Sequence, residues 1–293
     1  MRRAGVGTCL PLLFLLAAGA SGQPEEPFRP KGSYDNSVHR FHPDLDARLN
    51  AVRFARWRTL EIAWESGITE ELDRRISADV LALAKDPPRF PPEADRVAPL
   101  FARDAAPIFR ALRWGQTLEQ QLLDVLASSE AGEQLSAARL DRALLLYRRE
   151  RWALSESPEP VAGGTALETT AAWRIETAGA RLSVRAADDL TTPDFAEQRW
   201  RVKQTIDEFD RMLQGDHLPE AAAYSTSAPG IEKAFPGLAR ALDLVERFRR
   251  EVLEALAPGG TALEARRKRE EGLRGVARRY GLPTAGMAES PSP

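Results

Sequence analysis

Along most of the chain the apolar residues return every three or four positions, the period of a helix with one face turned inward. Leu45, Leu49, Val52, Leu60 and Trp64 keep this spacing, with Trp57 and Trp64 one heptad apart, and predict an amphipathic helix starting at Pro43. Proline suits a first helical position because its missing N–H would be unsatisfied there, and Asp44 and Asp46 add negative charge where the helix dipole favours it. A second helix is expected over residues 69–85, stopped by Asp86-Pro87-Pro88. Others are expected over 93–114, 117–127 and 136–154, the last with a buried stripe of Leu140, Ala143, Leu144 and Tyr147.

Residues 155–164 (SESPEPVAGG) have no apolar period and combine Pro, Gly and Ser, the composition of a linker. Beyond them long helices are expected over 194–213 and 231–256, with a loop over 215–230 between them. A last helix over 262–280 ends at Gly281, which can take a left-handed cap, and Pro283. Residues 171–190 read two ways. Trp173, Ile175 and Thr177, then Leu182, Val184 and Ala186, alternate like a hairpin, whereas Thr165-Ala-Leu-Glu168 upstream is a capping box; helix is favoured. The hexapeptide around that box, residues 163–168, recurs letter for letter at 259–264. Each copy follows an aromatic-Arg-Arg-Glu run, Tyr147 to Glu150 and Phe248 to Glu251. The spacing between run and hexapeptide differs, so chance recurrence is favoured over duplication.

The start of the chain departs from this pattern. Arg2 and Arg3 precede an apolar run over residues 10–18, followed by the small residues Ala18, Ala20 and Gly22. This is the form of a secretory signal, cleaved after Ala20 or Gly22, and it predicts an exported protein, periplasmic or secreted. Residues 23–36 read as an extended leader and 282–293 as a disordered tail. The one cysteine, Cys9, lies inside the signal, so a mature chain would carry no thiol and no disulfide. No second apolar run approaches the ~18 residues of a membrane span. Retained, the signal would instead tether the chain.

The chain of 293 residues has a formal charge of −2, and −4 without the signal. That balance argues against a nucleic-acid partner, which requires excess Lys and Arg for phosphate contacts. The sequence contains no G-x-S-x-G elbow, phosphate-binding loop, dinucleotide glycine fingerprint or H-E-x-x-H helix.

Two groups of residues remain as candidate chemistry. His39, His42, Asp44 and Asp46 put two of the three histidines and two carboxylates within eight residues; imidazole and carboxylate are ligands for a divalent metal, and His217 offers a third imidazole. Both leading histidines precede Pro43 and are expected in non-helical chain. Arg266, Arg267, Lys268, Arg269 and Arg274 form a basic face on the last helix, suited to an anionic partner. The six tryptophans are expected in the core. The sequence therefore predicts an all-α multi-helix bundle, either one body or two halves (37–154 and 165–281), joined at 155–164. The expected function is a non-catalytic binding or scaffolding protein outside the cytoplasm, engaging a protein partner or an extracytoplasmic ligand. The alternative is a metal-binding protein or metal-dependent hydrolase.

Overall fold

A computed structural model describes residues 35–128, 133–155, 170–214 and 229–287. The proposed signal and nearly all of the leader lie outside these residues, as do linker positions 156–164 and His217. The described residues form twelve helices and no strand, so the fold is all-α: α1 (Ser37–Phe41), α2 (Pro43–Ser66), α3 (Glu70–Lys85), α4 (Ala94–Val97), α5 (Pro99–Asp104), α6 (Ala106–Ala127), α7 (Glu133–Arg149), α8 (Ala171–Leu190), α9 (Phe195–Gln214), α10 (Pro229–Ala234), α11 (Pro236–Leu256) and α12 (Leu263–Arg279). No helix among the described residues is long and apolar enough to cross a membrane.

Helix α2 starts at Pro43 as its sequence predicts and is buried on nearly every side. It packs against α3, α8, α9, α11 and α12 and against the short helices α4 and α5. One hydrophobic cluster holds Leu49, Trp57, Ile108 and Leu122 together with Leu182, Val245, Phe248 and Leu256, so residues from both sides of 155–164 share a core. Of the six tryptophans Trp57, Trp64, Trp114 and Trp152 are buried, and Trp200 is exposed. Trp57 and Trp64 also donate indole N–H bonds, to Gln116 Oε1 (3.0 Å) and Asp104 Oδ2 (3.1 Å). Their apolar rings thus enter the core without stranding a polar atom.

Several helix boundaries differ from the sequence expectation, and proline explains most of them. The single helix expected over 93–114 is divided at Ala98 and Ala105, because Pro99 and Pro107 lack the N–H a continuous ladder requires. Glu61 of α2 stabilises the first division: its carboxylate accepts from Leu100 N–H (3.1 Å) and Phe101 N–H (2.9 Å), two orphan donors at the start of α5. Pro236 similarly separates α10 from α11. The break expected between Trp114 and Thr117 does not occur. Gly115 instead lies inside α6 at a close approach to α11, where an added Cβ would stand 2.7 Å from Val245 Cγ1. Close packing, not chain reversal, accounts for that glycine.

Residues 171–190 are helical, the favoured reading. Thr170 caps α8 by accepting from Trp173 N–H (3.2 Å), while the capping box at 165–168 lies outside the described residues. At the other end, α12 closes as its glycine predicts: Gly281 N–H donates to Arg278 O (3.2 Å) and Leu282 N–H to Ala277 O (2.8 Å), the paired bonds of a Schellman cap. Of the tail expected over 282–293, residues 282–287 are described, and 283–286 among them are exposed. Leu282 and Met287 are buried, and Met287 forms an isolated antiparallel bridge with Ala105. Two apolar side chains in an otherwise polar tail suffice to anchor it, since each fully buried side chain of this size contributes ~1.5–3 kcal/mol.

Candidate functional site

The histidine-rich start divides between two tasks. His39 lies in α1, not in irregular chain, because α1 forms ahead of Pro43 and ends at His42. Its Nδ1 pairs with Asp46 Oδ2 (2.9 Å), an oxygen that also accepts from Asn50 Nδ2 (3.4 Å). His42 is buried and turns its Nε2 to Gln198 Oε1 of α9 (3.2 Å), and burial pushes its imidazole below the ordinary histidine range. Asp44 is exposed. Among the described residues no group of three or more His, Cys, Asp or Glu side chains is placed to hold a metal.

On α12 the expected basic face loses one member to the interior. Arg269 is fully buried, where its guanidinium donates to Pro258 O (2.7 Å), Gly260 O (2.9 Å) and Glu65 O (3.1 Å). These carbonyls come from the end of α2 and the α11–α12 turn, sites where a helix C-terminus favours a cation. Three neighbours are paired with acids: Arg266 with Asp104 and Glu270, Arg267 with Glu271, and Lys268 with Glu264. Arg274 is half-buried.

The strongest concentration of buried charge lies elsewhere, at the meeting of α2, α6, α8 and α11. Arg56 (α2), Glu119 (α6), Glu176 (α8), Glu246 and Arg249 (α11) are all buried. Arg249 Nη2 donates to Glu119 Oε2 (2.9 Å), and its Nη1 binds Glu246 Oε1. Arg56 Nη2 lies 2.9 Å from Glu176 Oε1 and 3.7 Å from Glu246 Oε1. Ser183 of α8 donates its hydroxyl to Glu119 Oε1. Buried acids are tolerated here because two guanidiniums face them, although Glu176 Oε1 and Arg56 Nε are buried without a hydrogen bond.

The two carboxylates of Glu119 and Glu246 differ in proton affinity. Burial alone would raise Glu119, but Arg249, Arg56, Arg53 and the Ser183 hydroxyl outweigh it and hold that acid well below the ordinary range. For Glu246 burial dominates, Arg249 and Arg56 only partly offset it, and repulsion from Glu176 and Glu119 adds to it; its carboxyl titrates above the ordinary range.

This network forms the polar end of a cavity of about 580 Å³ between α6, α8, α10 and α11. Leu122, Leu123, Val184, Ala187, Ile231 and Val245 are among its apolar walls, and the buried polar groups reaching it are Glu119, Ser183 and Glu246. Glu232, Arg240 and Asp243 line it from exposed positions. Arg56, Glu176 and Arg249 stand behind the carboxylates, where they line a much smaller space of about 30 Å³ with Trp57 and Leu253.

None of these residues is singled out by a motif. A partial signal exists: Arg56 stands midway between Val52 and Leu60, four residues from each, and Arg249 four after Val245, so both interrupt apolar stripes. Charged residues on such stripes are rarely fully buried unless paired. Arg249 does belong to the Phe248-to-Glu251 run echoed at Tyr147 to Glu150, but its counterpart Arg148 is exposed. The echoed letters therefore perform different tasks. Comparison of the chain with protein-family models, with curated proteins and with solved structures found no match.

Proposed function

We propose that this chain is a non-catalytic binding protein that acts outside the cytoplasm and holds a small amphipathic molecule in the cavity between α6, α8, α10 and α11. The observation that carries this reading is the cavity itself. Its volume of about 580 Å³ lies within the ~300–1,000 Å³ of small-molecule sites, and its apolar walls converge on a few fixed polar groups. Ion pairs already hold those groups in position, so a ligand would bind with little reordering of side chains. The extracytoplasmic setting rests on the signal-like residues 1–22.

The chemistry favours binding over catalysis. Ser183 donates to Glu119, a carboxylate held strongly ionised and therefore a weak proton acceptor. Its hydroxyl is thus suited to orienting a ligand rather than attacking one.

Fluorescence titration of the full chain with Nile red, an apolar dye, tests the reading. The expected result is saturable binding at one dye per chain, reduced at least tenfold by Val184→Trp, which places an indole in the cavity. Circular dichroism and the urea midpoint report whether the variant keeps its fold. Dye binding that is unsaturable, or equal in a folded Val184→Trp protein, would contradict the proposal.

A further inference from the structure

The charged groups that line the cavity are unevenly divided. Four acidic residues line it, Glu119, Glu232, Asp243 and Glu246, against one arginine, Arg240. The other cations of the neighbourhood are committed elsewhere. Arg249 and Arg56 face the carboxylates from the side of the smaller space, Arg53 donates to Asn50 Oδ1 (2.9 Å) and acts on Glu119 through its charge, and Arg247 Nε pairs with Asp243 Oδ2 (3.0 Å). A ligand entering from the open side meets acceptors: Glu119 with its bound Ser183 hydroxyl, and Glu246.

The two buried acids differ in what they have to spare. Glu119 is engaged by Arg249, by Ser183 and, at 3.9 Å, by Arg56. Glu246 is bound through one oxygen, Oε1, to Arg249 Nη1, with Arg56 Nη2 at 3.7 Å from the same atom. No bond from Oε2 of Glu246 is among those identified in the described residues. Within ion-pair distance three acids, Glu119, Glu176 and Glu246, share two guanidiniums, those of Arg56 and Arg249, while Arg53 acts on Glu119 from further away, so Glu246 is the acid with contacts to spare.

We infer that the ligand of this cavity is an amphipathic monocation, an amine with an apolar body, whose ammonium group is received by Glu246 beside the Glu119–Ser183 pair. This rests on the cavity being a binding site and adds the charge of its occupant. The apolar body would lie along Leu122, Leu123, Val184, Ala187 and Ile231, and its desolvation would supply most of the affinity. The ammonium supplies selectivity: a charge brought into low dielectric beside an opposite charge is strongly favoured over a like charge placed there.

Three probes of equal chain length separate charge from burial: decylamine, decanol and decanoate, each titrated into the full chain by calorimetry below its aggregation concentration. Decylamine is expected to bind at least tenfold more tightly than decanol, and decanoate more weakly than either. Glu246→Gln should bring the amine to within about threefold of the alcohol. The amide keeps the shape of the side chain and an oxygen that can accept from Arg249 Nη1, and the urea midpoint of the variant checks that the fold is kept. Equal binding of amine and alcohol, or tightest binding of decanoate, would overturn the inferred charge and leave the cavity as a site. If none of the three binds and Nile red fails as well, the cavity reading itself falls, and this inference with it.

Discussion

Arg249 shows how a single side chain can carry several contacts whose loss is not local. Its guanidinium is buried, binds Glu119 and Glu246, and is held even more firmly protonated than usual: burial opposes its charge, but Glu246, Glu119 and Glu176 more than compensate. Arg249→Met would remove the cation and leave those acids facing Arg56, with Arg53 acting on Glu119 from further away. Breaking a buried pair by removing one partner costs ~3–5 kcal/mol, whereas exchanging the whole group for apolar residues can be neutral. Arg249→Met should therefore lower unfolding stability by about 3–5 kcal/mol in urea titration, and adding Glu119→Gln should cost much less than Glu119→Gln alone. Additive losses would mean that the two side chains do not act together. Little of this was legible in the sequence. An arginine on an apolar stripe signals burial, but the identity of its partners depends on four helices distant in the chain.

At the scale of elements, periodicity and capping chemistry located the long helices well. Pro43 opens α2, Thr69 caps α3 through Leu72 N–H (3.2 Å), and Gly281 closes α12. What the periodicity could not resolve were helices joined without a loop, since α4, α5 and α6 turn at single residues while their apolar spacing continues. Helix α1 was missed for a related reason. Its five residues have little propensity of their own, and it is held from outside, where Val38 N–H donates to Asp124 Oδ1 of α6 (3.0 Å). Asp124 makes that attachment sensitive to pH. Burial raises its carboxyl to about 6, although the Val38 and Asn36 amides and Arg53 pull it down. A folded-state value above the unfolded one means that the native chain binds more protons between about pH 4 and 6, so stability falls as pH rises through that window. The contribution is up to about 3 kcal/mol, from 1.36 kcal/mol per pH unit. Glu246 and Asp189, also raised by burial, slope the same way. Asp124→Asn should accordingly flatten, without abolishing, the decline in urea stability from pH 4 to 6. An unchanged slope would show that Asp124 ionises freely in the folded chain.

The molecule as a whole is a shell of helices around α2, with its charge distributed between an outer surface of short-range pairs and an inner network. The sequence displays the first kind openly, in the i,i+4 pairs Arg267–Glu271 and Lys268–Glu264. Such exposed pairs contribute little to stability. The second kind arises only when α2, α6, α8 and α11 converge, and it forms the polar end of the proposed binding cavity. The fold class was therefore readable from apolar spacing, while the candidate site was not, because no local motif encodes a space between helices. The most direct test of the account is a crystal structure of the full chain grown with decylamine. Density for the alkyl chain is expected among Leu122, Val184, Ala187 and Ile231, with the nitrogen within hydrogen-bonding distance of Glu246. Density for the amine only at the outer surface, or an amine reversed so that its nitrogen points away from Glu246 and Glu119, would contradict it.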